Sequence, residues 1–127
     1  MKLKKAYRVL LGLFILIVAT SFKFDSYPLR FSPVGTWEYS VPGVEAGYEK
    51  GSMLIVREDR EYKVTMVLNE FSKTEAEKVV YKRKNISFTI WVENEEIFVS
   101  GTFDGDHFRG TISYSEGDFN LTATRAP

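Results

Sequence analysis

The side chains able to do chemistry are few in this chain, and their spacing is the first constraint on what it does. Among 127 residues there is one histidine, His107, and no cysteine. A lone imidazole without thiols assembles neither a metal centre nor a nucleophile–base pair, since both need several such groups brought together. His107 follows Asp104-Gly105, a strong turn dipeptide, and reads as a solvent-facing residue. The carboxylates Glu93, Glu95, Glu96, Glu116 and Asp118 gather around two further turns. Oxygen-ligated cations tolerate such a grouping, but solvated surface acidity explains it more simply. No phosphate-binding loop or dinucleotide fingerprint occurs. These residues indicate a non-enzyme with no metal and no cofactor. An isomerase or hydrolase working through Tyr114 or His107 is the weakest alternative.

The 17 basic and 17 acidic residues cancel, so no bulk charge draws the chain toward nucleic acid. Aromatics make up 15% of the residues, the composition of a globular domain and not of a disordered one. At the N-terminus, Lys2, Lys4, Lys5 and Arg8 precede an apolar run from Val9 to Ala19, followed by the small residues Ala19-Thr20-Ser21. That order predicts a signal peptide over residues 1–21, cleaved near Ser21, and export to the periplasm, cell envelope or medium. The run is short of the roughly 20 apolar residues needed to span a bilayer, so the cleaved product is not membrane-spanning. Without cysteine there is neither a disulfide nor a thiol for lipid attachment, and the exported domain must be held by its core alone.

Residues 22–34 contain Pro28 and Pro33 and read as an extended linker. Beyond them apolar residues alternate with polar ones, with turn signals about every ten residues, which is the pattern of an all-β sandwich or barrel. Eight strands are predicted over residues 35–41, 49–58, 61–69, 77–83, 86–93, 96–103, 106–115 and 118–125, with 70–76 left as a loop able to form one helical turn.

Two-residue hairpin loops convert this pattern into registers. A turn at Asp59-Arg60 sets Met53 opposite Met66 and Ile55 opposite Val64. Turns at Lys84-Asn85, Asn94-Glu95, Asp104-Gly105 and Glu116-Gly117 set Tyr81 against Phe88, Val92 against Ile97, Phe108 against Gly101 and Tyr114 against Phe119. Every register places apolar residues on one face and Thr, Ser and Asn on the other. Such a meander curls, and eight strands suffice to close it into an antiparallel up-and-down β-barrel spanning residues 35–127. Apolar residues inward and polar ones outward is the reverse of an outer-membrane barrel.

Gly35-Thr36-Trp37, a G-x-W opening the first strand of this meander, resembles the calycin group of lipocalins, fatty-acid-binding proteins and avidins. In that group a basic residue from the last strand packs across the tryptophan and closes one end of the barrel. Arg125 stands at the matching place, so the resemblance implies a floor built from Gly35, Trp37 and Arg125. The chain departs from most lipocalins in its short strands and in lacking a helix after the barrel; a compact, avidin-like or lipocalin-like module is the nearer likeness.

With the floor assigned, the opposite end becomes the expected mouth, ringed by loops 42–48 and 70–76 and the turns near 94 and 116, with Pro42 to Tyr48 as a candidate lid. The leading expectation is binding of a small apolar molecule inside the barrel, touched by Tyr39, Met53, Tyr62, Met66, Tyr81, Phe88 and Tyr114. A filled core is the competing expectation, because interiors close-pack. In that case the chain is an interaction or scaffold module, and its outer face, where the predicted register sets Trp91 opposite Phe98, meets an envelope or extracellular protein or a glycan.

Overall fold

The computed structural model describes residues 30–127; the signal peptide expected over residues 1–21 and most of the expected linker lie outside the described residues. Nine strands follow one another: β1 (Gly35–Ser40), β2 (Lys50–Glu58), β3 (Glu61–Asn69), β4 (Ser72–Glu75), β5 (Glu77–Lys82), β6 (Asn85–Val92), β7 (Glu95–Asp104), β8 (His107–Tyr114) and β9 (Gly117–Arg125). They form one antiparallel sheet ordered β4-β3-β2-β1-β9-β8-β7-β6-β5. The last strand lies beside the first, Trp37 facing Arg125 and Tyr39 facing Ala123. The meander is thereby rolled into a nearly closed barrel.

The ninth strand arises from how the roll closes. Residues 70–76 are not a loop or a helical turn: a tight turn at Glu70-Phe71 leads straight into β4. Strand β4 hydrogen-bonds β3, whereas β5, one residue later, hydrogen-bonds β6. The two are halves of one extended run that changes partner at Ala76, whose amide donates to the Val64 carbonyl at 2.8 Å. The register also shifts between Glu77 and Val80, where Lys78 has φ 54, a left-handed backbone that bulges allow.

The turn at Asp59-Arg60 and the β2–β3 register stand as expected. The other four hairpins turn one residue away from the expected place, at Arg83-Lys84, Glu93-Asn94, Gly105-Asp106 and Ser115-Glu116. Moving a two-residue turn by one position shifts the pairing by two, which keeps every side chain on its face. Tyr81 therefore faces Ile86, Ile90 faces Ile97, Phe103 faces Phe108 and Ile112 faces Phe119, all still inward. Phe108 nonetheless covers Gly101, from the diagonal: a Cβ on Gly101 would collide with its ring. The causes of the shifts are local. Arg83, Lys84, Glu93 and Asn94 all adopt positive φ, the demand of a type I′ turn, without the usual glycine. At the β7–β8 hairpin Gly105 takes the first central position with φ 58.

The core is continuous at one end of the barrel and leaves a chamber at the other. The floor is aromatic: the Trp37 ring lies 4.9 Å from Phe103, which lies 4.8 Å from Phe108 and 5.5 Å from Phe31. Phe31 and the buried Pro33 belong to this floor, so the end of the segment read as linker is built into the barrel. Trp37 is fully buried and its indole Nε1 donates to the Pro33 carbonyl at 2.9 Å.

Arg125 clamps the assembly. Its guanidinium sits 4.4 Å from the Trp37 ring centre and donates to the Val34 carbonyl at 2.6 Å, the Ser32 carbonyl at 2.9 Å and Asp106 Oδ1 at 2.9 Å. A Cβ on Gly35, which has φ 144, would stand 3.1 Å from Arg125 Nη1, so glycine at 35 makes room for the clamp. Replacing Arg125 with Met keeps much of the stem but loses the charge-assisted bonds and the cation–π contact, and costs about 1.5–3 kcal/mol. Arg125→Lys, which offers no planar fork, recovers less than half of this. Chemical denaturation of the three proteins measures both values; a loss in R125M below about 0.5 kcal/mol, the range of an ordinary surface substitution, would show the clamp to be incidental.

Candidate functional site

At the end away from the floor the inward faces of six strands part around a cavity of about 100 Å³. Strand β1 supplies Tyr39 and the residue just after it, Val41; β3 supplies Met66 and Leu68. Across from them stand Ile90 and Val92 of β6, Ile97 and Val99 of β7, Ile112 and Tyr114 of β8, and Leu121 of β9. Alternation puts every one of these on the inner face, so the wall is apolar because the strands are amphipathic. An apolar cavity of about 150 Å³ holds one benzene ring. This chamber is on the scale of one small ring or a short aliphatic chain.

The lid predicted at Pro42–Tyr48 lies over this chamber. Val44, Glu45 and Tyr48 line it, and the loop is closed on itself by bonds from the Val41 amide to the Glu49 carbonyl at 2.7 Å and from the Tyr48 amide to the Glu45 carbonyl at 3.1 Å. Tyr48 Oη donates to Glu93 Oε1 at 2.9 Å, tying the lid to the β6–β7 turn. That bond to the carboxylate, more than any burial, raises the Tyr48 pKa above its ordinary value. Glu95 accepts from both the amide and the hydroxyl of Ser115, joining the β6–β7 and β8–β9 turns. The three charged groups that line the chamber, Glu45, Glu93 and Glu95, are all carboxylates.

One fully enclosed polar side-chain atom has no hydrogen-bond partner among the described residues: the hydroxyl of Tyr39. The ring lies across Gly51, its β-sheet partner, and a Cβ there would come within 2.6 Å of the hydroxyl. Gly51 thus exists as the recess that lets Tyr39 lie flat on the inner wall. Burial pushes the Tyr39 pKa up to about 12. Burial also raises that of Tyr114 on the opposite wall.

The other expected contact residues separate. Tyr39, Met66 and Tyr114 reach the chamber, whereas Met53 and Phe88 are wholly enclosed in the core below it. Tyr62 and Tyr81 meet edge-on at 4.9 Å on the floor side, beside the seam where β3 and β5 part. The cleft along that seam, about 870 Å³, is rimmed by charges of both signs, including Glu58, Arg60, Glu61, Lys63 and Lys78. Of the acidic group, Glu93 and Glu95 line the chamber and Glu96, Glu116 and Asp118 are exposed. His107 is exposed, and no metal-holding cluster occurs among the described residues. The lid's tie to Glu93 escaped sequence reasoning because the two residues lie 45 apart and no pattern pairs them.

Trp91 and Phe98 do not face each other: Trp91 pairs with Glu96 and Phe98 with Thr89. Both are 47% exposed. Between them Thr89 is buried, flanked also by Glu77, whose carboxylate accepts from Trp91 Nε1 at 3.3 Å. The Trp91 bond to Glu77 joins β6 to β5 on the outer face.

No family profile matches the chain, and no curated protein matches it. Among solved structures it is similar to a redesigned beta barrel, at 16% identity and a TM-score of 0.55 over 74% of this chain and 91% of that one. The fold is a small β-barrel. The chain is also similar to secretory abundant heat soluble protein 4 from Ramazzottius varieornatus, at 14% identity and a TM-score of 0.52 over 80% of this chain and all of that one. At these identities the likeness concerns the fold alone.

Tyr39 makes the site testable without a ligand. An unfolded tyrosine releases its proton near pH 10 and Tyr39 in the fold near 12, so between those values the folded state binds more protons and stability falls as pH rises. The fall reaches about 2–3 kcal/mol by pH 12. Tyr39→Phe removes this contribution, and at neutral pH it stabilises the barrel by about 1 kcal/mol because it removes an orphaned buried hydroxyl. Denaturant unfolding of both proteins from pH 7 to the alkaline limit checks the two effects; equal alkaline slopes would mean that Tyr39 ionises freely in the fold.

Proposed function

We propose that this protein is an exported, non-catalytic carrier that holds a small, mostly apolar molecule in the chamber at the open end of a calycin-like barrel. The observation that carries the reading is the apolar chamber beneath the Pro42–Tyr48 loop. A barrel selected only for stability would close-pack this space, as it does at the floor. The lid and its tie to Glu93 supply a way in and out without unfolding the sheet. Export rests on the basic, apolar and small-residue segments of residues 1–21. The calycin-like assignment rests on Gly35-Thr36-Trp37 opening β1 and on Arg125 of the last strand stacked over Trp37.

Catalysis has no support from the chamber, whose polar groups are tyrosine hydroxyls and carboxylates tied to the lid and turns. The chamber selects by shape and by exclusion of water. Val92 is half-buried on the wall near the lid, and Val92→Phe fills the opening at a cost of about 1 kcal/mol in stability. With 2-phenylethanol as a neutral probe, followed by chemical shifts of the isotope-labelled protein, the natural chain shows saturable changes at Tyr39, Met66 and Ile112. Val92→Phe weakens them at least tenfold, about 1.4 kcal/mol, while Val56→Phe on the outer face leaves them unchanged. Native mass spectrometry of gently purified protein then identifies the resident molecule. Absence of saturable shifts in the natural chain would remove the binding reading.

A further inference from the structure

The elements around the chamber's open end are not equally free to move. The β6–β7 and β8–β9 turns are two-residue connections at Glu93-Asn94 and Ser115-Glu116, locked in register by paired strands and joined to each other through Glu95 and Ser115. The loop of residues 42–48 is held differently. Its stems are closed by the bond from the Val41 amide to the Glu49 carbonyl at 2.7 Å, so its base belongs to the β1–β2 ladder. Beyond that base only Val44 and Tyr48 pack on the core, both half-buried; the other five residues of the loop are exposed. Among the described residues one hydrogen bond ties the loop to another part of the barrel, from Tyr48 Oη to Glu93 Oε1 at 2.9 Å. Gly43 and Gly47 adopt φ 95 and φ 98, a left-handed backbone that glycine enters and leaves freely, and a Cβ on Gly47 would meet nothing within 4 Å. The loop therefore has two hinges, one latch and an apolar underside.

We propose, resting on the carrier reading above, that this loop is a gate hinged at Gly43 and Gly47, and that the Tyr48 hydroxyl is the latch that sets how fast the chamber exchanges its guest. Opening breaks one exposed bond to a carboxylate and lifts Val44 and the Tyr48 ring off the chamber. No strand pair has to part. The hydroxyl ends on Glu93, an exposed residue, so removing it leaves the Tyr48 ring in place over the apolar wall. Latch and wall are thereby separable. The bond is made between two protein groups and is independent of the guest, so its loss speeds entry and release alike and leaves their ratio, the affinity, unchanged. A hydrogen bond to a charged acceptor is stronger than one to a neutral acceptor, so Glu93→Gln weakens the latch and Tyr48→Phe abolishes it.

Two measurements on the full exported chain separate the gate from the chamber. Without a guest, relaxation dispersion of the backbone amides reports the opening rate of residues 43–48. With 2-phenylethanol, line-shape analysis of a titration gives the entry rate, the release rate and the dissociation constant. Tyr48→Phe raises the loop's opening rate and both probe rates about five- to tenfold and keeps the dissociation constant within about twofold; Glu93→Gln gives a smaller rise of the same kind. Gly47→Ala, whose Cβ meets open space but whose backbone is strained at φ 98, also opens the loop and speeds exchange. Tyr62→Phe removes a hydroxyl on the floor side of the barrel and changes none of these quantities. Probe binding with loop and exchange rates unchanged in Tyr48→Phe overturns the latch and leaves the carrier reading standing. A weaker dissociation constant with an unchanged entry rate also overturns it, by making the hydroxyl a contact of the guest. Absence of saturable probe binding in the natural chain removes the carrier reading and this inference with it, however the loop moves.

Discussion

A guanidinium stacked on an indole sets the closure of this barrel. Arg125 lies on the last strand and Trp37 on the first, so their contact is also the joint between the two ends of the meander. The side chain is polar on its edges and weakly hydrated on its faces, which lets it cover the aromatic floor while its nitrogens reach the carbonyls of Ser32 and Val34. Those carbonyls belong to the chain entering the barrel. One residue therefore fixes the entry segment, the first strand, the last strand and, through Asp106, the β7–β8 turn. A hydrophobic residue there would seal the floor but leave the carbonyls unpaired, and a lysine would pair one of them without covering the ring.

With the floor fixed, the remaining problem is the pair of edges that a rolled sheet leaves. The chain solves it with one run, residues 72–82, that bonds β3 with its first half and β6 with its second. Changing partner requires a break in the ladder, and the break is built from Ala76, whose amide finds the Val64 carbonyl, and Lys78, which takes a left-handed backbone. The cost is a parted seam beside Tyr62 and Tyr81, protected from edge pairing by the charged side chains along both rims. Floor and seam are thus both packed or guarded, and the unfilled space is confined to the lidded end.

Much of this was legible in the sequence because period two is a forgiving code. Turns at 84–85, 94–95, 104–105 and 116–117 each stood one residue from the real ones, yet Trp37, Val64, Phe88, Val99, Phe108 and Leu121 all came out inward, since a turn moved by one shifts pairing by two. The Trp37 and Arg125 contact was legible for a related reason: both lie at the ends of a meander whose first and last strands must meet. What stayed hidden depends on partner choice and not on alternation. Nothing in Ser72 to Lys82 announces that its two halves bond different neighbours, and the alternation there is interrupted by Glu77-Lys78. Among the tyrosines, residue type alone separated none of them: Tyr39 and Tyr114 line the chamber while Tyr62 and Tyr81 lie across the barrel at the seam, because distance along the barrel axis is set by strand stagger, which the sequence does not spell out.

The barrel's two ends differ in how each treats its buried polar groups. At the floor every buried polar group has been provided for: the Trp37 indole has Pro33, and the guanidinium of Arg125 has two carbonyls and a carboxylate. At the lidded end the chain spends a glycine at 51 to admit a tyrosine ring at 39 and then leaves its hydroxyl without a partner. Phenylalanine would fit the same recess without the orphaned oxygen. The chain thus satisfies its buried polar groups at one end of the barrel and keeps an avoidable orphan at the other, a local cost in stability that the rest of the core must offset.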